Sequence, residues 1–386
     1  MVSHGKSKPK GTESLKRLLV CLCCLGLLSG CAKAPPADTS TAASTAAATH
    51  PAPETTLPTE TVPPTETTLP PATTVPEILR HPLTGQPLEQ PIPYRPVAVV
   101  INNISAAQPL HGISNADILF EHIAEGGGSI TRMVAVFTDL RNTGVIGSVR
   151  SARTYLLDLA RSVAAPLVHV GQSVHAQRDF DTYGYPHYNQ FQYPKYFYRD
   201  QDRLRAGYST EHTMMIRGAD LLKGLLESGF DLSLPGEPYF GWQFSEETQL
   251  AGNSAKEITL RFYNPSGKTT TLSYDAATGM YEGRQQWKSK QAAIADGNTG
   301  EAVPFRNVLI LKAETYSDGY HEFATLHGEG TGYFALGGQY VPIRWSRETT
   351  YEPFRLTLED GTPITLGIGK TYVGVIPIQS PEVIFQ

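Results

Sequence analysis

Three arginines carry the most specific chemical signal in this chain. Arg150 and Arg153 stand three residues apart in Gly147-Ser148-Val149-Arg150-Ser151-Ala152-Arg153, just ahead of an amphipathic run, and Arg132 lies on an apolar stretch upstream. A helix opening at Ser151 would place Arg150 and Arg153 on one face, close to its positive end. The helix dipole disfavours a cation there by a few tenths of a kcal/mol up to about 1 kcal/mol. Such a placement calls for a carboxylate or an anionic ligand opposite. Asp117, Glu121 and Glu125 are the candidate counter-charges, and a phosphate, a uronate or a peptide carboxylate is the candidate ligand. Two chemistries follow: an arginine–carboxylate network tying helix to sheet, or an anion site built from Arg132, Arg150 and Arg153. Where the anion is a substrate, His169 and His212 are the candidate acid/base groups.

Other motifs fall short of a complete site. Gly171-Gln172-Ser173-Val174-His175 begins like a nucleophile elbow, but a histidine stands where the last glycine belongs. Gly369-Lys370-Thr371 echoes a P-loop ending, yet position 364 is isoleucine and a strand pattern follows, not a helix to hold phosphate. His169 and His175 are at best two ligands of an incomplete metal set, so neither a metal nor a cofactor is expected. Tyr183 to Tyr198 holds eight aromatics in 16 residues. They suit either stacking on sugar rings or a partner, or a long loop packing on its own domain.

The elements that must position these groups come in two styles. Val97–Ile101, Met133–Phe137 and Ala165–Val170 are continuous apolar runs, the mark of strands buried on both faces. Ser114-Asn115-Ala116-Asp117 has the form of a capping box and predicts a helix through about Glu125, stopped by Gly126-Gly127-Gly128. Further helices are predicted over Ser151–Val163 and Ala219–Ser228. This alternation predicts an α/β domain with a mainly parallel sheet over 77–233. From 234 to 386 short alternating runs and glycine-rich turns, among them Asn264-Pro265-Ser266-Gly267, predict a strand-rich, mostly antiparallel part. It is either its own domain or a set of strands extending the first.

Arg95-Pro96-Val97-Ala98-Val99-Val100-Ile101-Asn102-Asn103, Asn115-Ala116-Asp117-Ile118, Glu125-Gly126-Gly127 with Thr131-Arg132, and the Gly147–Arg153 block resemble the YerB-like lipoproteins. Gly337-Gly338, Ile343-Arg344-Trp345 and Gly369-Lys370-Thr371 are similar to that family's second domain. The resemblance covers roughly residues 80–380. It implies a bacterial lipoprotein of two domains of unknown function and carries over no catalytic residue. One departure is visible: where the family tends to have Pro-His-Asn, this chain has Glu211-His212-Thr213.

The first 31 residues write an address. Lys6, Lys8, Lys10, Lys16 and Arg17 precede the apolar stretch Leu18–Leu28, too short for a bilayer core that needs roughly 20 residues. This is the form of a secretory signal over 1–30. Leu27-Leu28-Ser29-Gly30-Cys31 resembles a lipobox, which implies that Cys31 becomes the lipidated first residue on the extracytoplasmic side. Residues 31–76 form a spacer rich in threonine, proline and alanine, in which Glu54-Thr55-Thr56-Leu57-Pro58 recurs as Glu66-Thr67-Thr68-Leu69-Pro70. It lacks the apolar surface to offset the entropy of ordering. All four cysteines fall in the first 31 residues, which excludes a disulfide scaffold, a thiolate metal site and a cysteine nucleophile beyond them. Removing residues 1–30 moves the net charge from −5 to −9, so no nucleic acid is expected as a partner. The expectation is a lipid-anchored envelope protein that binds a cell-wall polymer or a wall-synthesis protein. The alternative is a hydrolase or transferase acting on an anionic wall polymer.

Overall fold

Val97–Asn103 (β1) is buried along its whole length, as an unbroken apolar run requires. Its side chains divide between two clusters: Ala98 and Val100 to one side, Val97, Val99 and Ile101 to the other. β1 is an interior strand of a mixed sheet, two strands from one edge. Ile118–Glu125 (β2) and Ile130–Phe137 (β3) form a hairpin, and β3 pairs antiparallel with both β2 and β1. Leu167–His169 (β4) joins β1 in parallel, and His187–Asn189 (β5) joins β4 in parallel. The computed structural model describes residues 78–125, 130–235, 240–262, 267–288, 290–378 and 383–386. The signal segment, Cys31, the spacer, the Gly126-Gly127-Gly128 stop and most of the Asn264–Gly267 turn lie outside them.

The second half of the chain extends the same sheet. Asn307–Ala313 (β6), Gly328–Leu336 (β7), Gln339–Arg347 (β8) and Thr371–Pro377 (β9) enter it with β9 inserted between β2 and β6. β9 runs parallel to both neighbours, while β7 is antiparallel to β6 on one side and to β8 on the other. A separate antiparallel sheet contains Glu257–Arg261, Thr269–Asp275, Met280–Trp287 and Lys290–Ala293, with Val383–Phe385 on its edge. A small hairpin, Thr315–Ser317 with Glu322–Ala324, stands beside β2.

Three of the α-helices among the described residues complete the layers. Thr154–Arg161 (α1) and Val174–Tyr183 (α2) cover the face carrying Ala98, Val100, Phe120 and Val134. Gly218–Glu227 (α3) and the second sheet cover the other, with Leu221, Leu225, Ile258, Leu260 and Leu272 meeting Val99, Leu119 and Met133. Each such side chain removed from water contributes about 1.5–3 kcal/mol. No helix among the described residues is long and apolar enough to cross a membrane.

Three expectations are corrected. The helix predicted from Ser114 to Glu125 is a short 3-10 turn at Ile113–Asn115 followed by β2. Asp117 caps nothing; its carboxylate accepts from the Thr138 backbone amide and hydroxyl at 2.9 and 2.7 Å. Because β2 is a strand paired with β3, the sheet of the first half is mixed and not mainly parallel. Arg150 and Arg153 do not share a helical face either. Arg153 is the extended residue before α1, and Arg150 lies ahead of it in the loop.

Candidate functional site

A β-bulge decides where the arginines find their counter-charge. The pairing of β2 with β3 shifts register between Ile123 and Glu125, and a bulge re-aims the side chain beyond it. Glu125 thereby meets Arg132 of β3 on the α1 side of the sheet. Its Oε1 accepts from Arg132 at 2.6 Å and its Oε2 from Arg153 at 2.5 Å. The Arg132 guanidinium also donates to the Ser151 carbonyl at 2.5 Å, and that of Arg153 to the Ala152 carbonyl at 2.8 Å. All three side chains are at least nine-tenths buried. Burial lowers Arg132 to about 10, with the nearby Arg153 adding to the shift against the pull of Glu125. Burial works against the Glu125 carboxylate as well, but Arg132, Arg153 and Arg150 outweigh it and hold the carboxyl below its ordinary value. Donor capacity is left over. Arg132 Nε, Arg153 Nε and the Tyr155 hydroxyl are buried with no hydrogen-bond partner among the described residues, as is the acceptor His122 Nε2, whose Nδ1 donates to the Val375 carbonyl.

Arg150 behaves differently. Its side chain is 26% exposed, and its guanidinium stands 3.8 Å from the carboxylate of Glu211, itself half exposed. Glu211 also faces His212, whose Nε2 is 3.5 Å from Oε1. The Asn102 amide donates to His212 Nδ1 at 2.8 Å, so the neutral ring carries its proton on Nε2, toward Glu211. Burial pushes the His212 pKa down, and the carboxylate of Glu211 opposes that. Val170 and Arg150 are joined through the backbone, as are Gly171 and Ala152. The Arg150 loop therefore lines the rim where β1, β4 and β5 end. Phe191, 73% exposed, stands on the same rim against Gly171.

The remaining candidates are placed elsewhere. Glu121 does not face the arginines. It points to the opposite side of the sheet, is fully buried, and holds Lys268. Asn103, Thr131, Thr270 and Tyr372 complete its shell at 2.6–2.9 Å. Asp117 lies at the far end of β2, 3.8 Å from His81 Nε2. His169 is sealed in: Nδ1 donates to the Gly171 carbonyl at 2.8 Å, and Nε2 accepts from His187 Nδ1 at 2.9 Å. Burial lowers it to about 3, so it stays neutral and has no carboxylate partner in these bonds. Ser173 is the cap of α2, its hydroxyl accepting from the Ala176 amide at 3.1 Å. Lys370 donates to the Ser114 carbonyl, and Thr371 opens β9. In the aromatic segment, Tyr188 stacks on Tyr193 at 4.7 Å and meets Phe230 at 5.6 Å. Tyr183 and Tyr185 stand over the Arg161 guanidinium.

One group was missed by sequence reasoning. His175 does not pair with His169; it meets Asp318, 143 residues further on, and His321, in the turn of the Thr315–Ala324 hairpin. The Asp-x-x-His spacing of the turn is the one local signal of it. That turn also touches the arginine network, through a backbone bridge between His321 and Glu125.

Comparison with known proteins places these features. Residues 83–231 match the N-terminal domain of a protein of unknown function, DUF3048, and residues 258–373 match its C-terminal domain. A protein of Bacillus subtilis (strain 168), YerB, whose name marks it as an inferred lipoprotein, is 26% identical over 307 residues. That alignment spans 78% of this chain and 86% of YerB. The crystal structure of Bacillus subtilis YerB is similar with a TM-score of 0.66 at 25% identity, over 77% of this chain and 96% of that one.

Proposed function

The chain belongs to the DUF3048 family of YerB-like proteins, and on that premise we propose that it is a lipid-anchored envelope protein that binds an anionic cell-wall ligand at the rim around Arg150. Cys31 carries the lipid, residues 31–76 form the spacer, and the folded body faces the extracytoplasmic side. The observation that supports the binding site is the different state of the three arginines. Arg132 and Arg153 are neutralised inside the fold by Glu125. Arg150 is open to solvent, and its carboxylate neighbour at 3.8 Å is a loose one. A phosphate, uronate or carboxylate with better geometry competes with Glu211 for it.

The test compares the full chain with Arg150→Met. An exposed ion pair is worth about 0–1 kcal/mol, so the variant should denature within that margin of the parent. Phosphate or a uronic-acid polymer should raise the melting temperature of the parent by mass action and leave the variant unmoved. Large destabilisation of the variant together with no anion effect on the parent would sink the site. The second reading is an enzyme that uses His212 beside Glu211 as the acid/base group, and the 3.5 Å approach of Nε2 to that carboxylate favours it. His169 leaves that reading, because its ring is buried and both nitrogens are engaged. Release of polymer fragments in the same incubation, abolished by His212→Gln, would establish the enzyme.

A further inference from the structure

We propose that His175, Asp318 and His321 form a binding site for one divalent transition metal of the zinc class, joining α2 to the Thr315–Ala324 hairpin. Asp318 is prepared for this. Its Oδ1 accepts from the backbone amides of Tyr320 at 3.0 Å and His321 at 2.7 Å, which fixes the carboxylate. Oδ2 is then aimed at His175 Nε2, 3.1 Å away, and His321 Nδ1, 3.0 Å away. On the other side, Ser173 caps α2 and sets His175 in its first turn.

The donor set and spacing select the ion. Two imidazole nitrogens and one carboxylate oxygen suit zinc and its neighbours. Calcium and magnesium take oxygen ligands, in larger number. Bonds of about 2.0–2.1 Å to a tetrahedral ion put its ligand atoms about 3.3 Å apart. Two of the three separations are already close to that, and all three atoms lie within 4.8 Å of one another. Closing the third needs a small shift of one imidazole. All three side chains are partly exposed, so the remaining coordination position opens to solvent, as in sites that keep a water or take a substrate atom. Phe323 meets the His175 ring edge-on at 5.0 Å and is itself stacked on Tyr316 at 4.7 Å, a wall that limits the rings' swing.

Arg178 works against the metal. Its guanidinium lies 3.2 Å from His175 Nδ1, so it holds the proton on Nε2, the atom that must bind, and adds a positive charge beside a cation. Removing it should tighten binding.

The experiment uses the untagged full chain, produced unprocessed and unlipidated, with its four cysteines alkylated, because all lie in the first 31 residues and thiolates bind zinc. Titration with Zn2+ should give one equivalent bound per chain and a melting temperature raised by several degrees. Co2+ should give the visible absorption of a low-coordinate nitrogen–oxygen site. Asp318→Ala and His175→Ala should each weaken Zn2+ binding at least tenfold and remove the thermal shift. His327→Ala, at an exposed histidine outside the cluster, should change neither, and Arg178→Ala should bind a few-fold more tightly. Absence of saturable binding, or equal binding by the parent and both ligand variants, would overturn the site. Neither result bears on anion binding at Arg150, which has its own variant and its own ligand.

Discussion

Glu125 is one carboxylate serving two buried guanidiniums, and that ratio sets what its loss would do. Removing one partner of a buried ion pair leaves an uncompensated charge, at a cost of about 3–5 kcal/mol. Glu125→Gln preserves shape and removes the charge, so chemical denaturation at pH 7 should show a loss of that order. The pH dependence follows from the direction of the shift. The folded carboxyl titrates below its ordinary value of 4.5, so its contribution is complete above that value and is lost as pH falls through the lower, folded one. The gap between parent and Glu125→Gln should be constant from pH 7 to pH 5 and close on further acidification. A gap that persists in full at pH 2 would mean that the amide donor turned toward a guanidinium, not the lost charge, carries the effect. Arg150→Met belongs at the other end of this scale, since a partly exposed guanidinium at 3.8 Å from a half-exposed carboxylate leaves little to lose.

At the scale of elements, β1, α1 and α3 were legible because each has a pattern of its own. β1 is an unbroken apolar run, and α1 shows Tyr155, Leu156 and Leu159 at helical spacing. β2 had none. With both faces covered, all eight of its residues are buried, so the two-residue alternation that marks a strand is erased. Ser114 to Asp117 then imitated a helix start. That substitution of helix for strand carried the counter-charges with it. On a helix Asp117, Glu121 and Glu125 lie along one side, whereas on a bulged strand Glu121 turns to the second sheet and only Glu125 reaches the arginines. Glu121 instead joins the two halves of the chain, because its shell draws on β1 and β3 as well as on Lys268, Thr270 and Tyr372. Lys268→Met should therefore cost about 3–5 kcal/mol in urea denaturation. Lys288→Met, on an exposed loop residue, should cost nothing measurable. Equal behaviour of the two would remove the network from any account of how the second sheet is held. The His175–Asp318–His321 group was illegible for a different reason: its members are distant in sequence, and only the folded sheet brings helix and hairpin together.

At the scale of the molecule, two family domains match separate stretches of a chain that builds one continuous sheet. The decisive strand is β9. It comes from residues 371–377, yet it lies between β2 and β6 and pairs with both in parallel. A fragment ending near residue 233 would expose the β2 edge along five paired positions, Ile118 to His122, and would leave Glu121 without Lys268 and Tyr372. An open apolar edge of this kind invites pairing with another chain. The two halves should therefore unfold together, and the fluorescence of this chain makes that measurable. Its three tryptophans, Trp242, Trp287 and Trp345, all stand in the second half, so tryptophan emission follows that half alone. Far-UV circular dichroism follows both. Coincident urea midpoints by the two probes would show one cooperative unit, and fragment 77–233 should then aggregate or lack a cooperative transition. An emission midpoint separated from the dichroism midpoint, with a soluble and cooperatively folding 77–233 fragment, would show instead that the first half holds its sheet without β9.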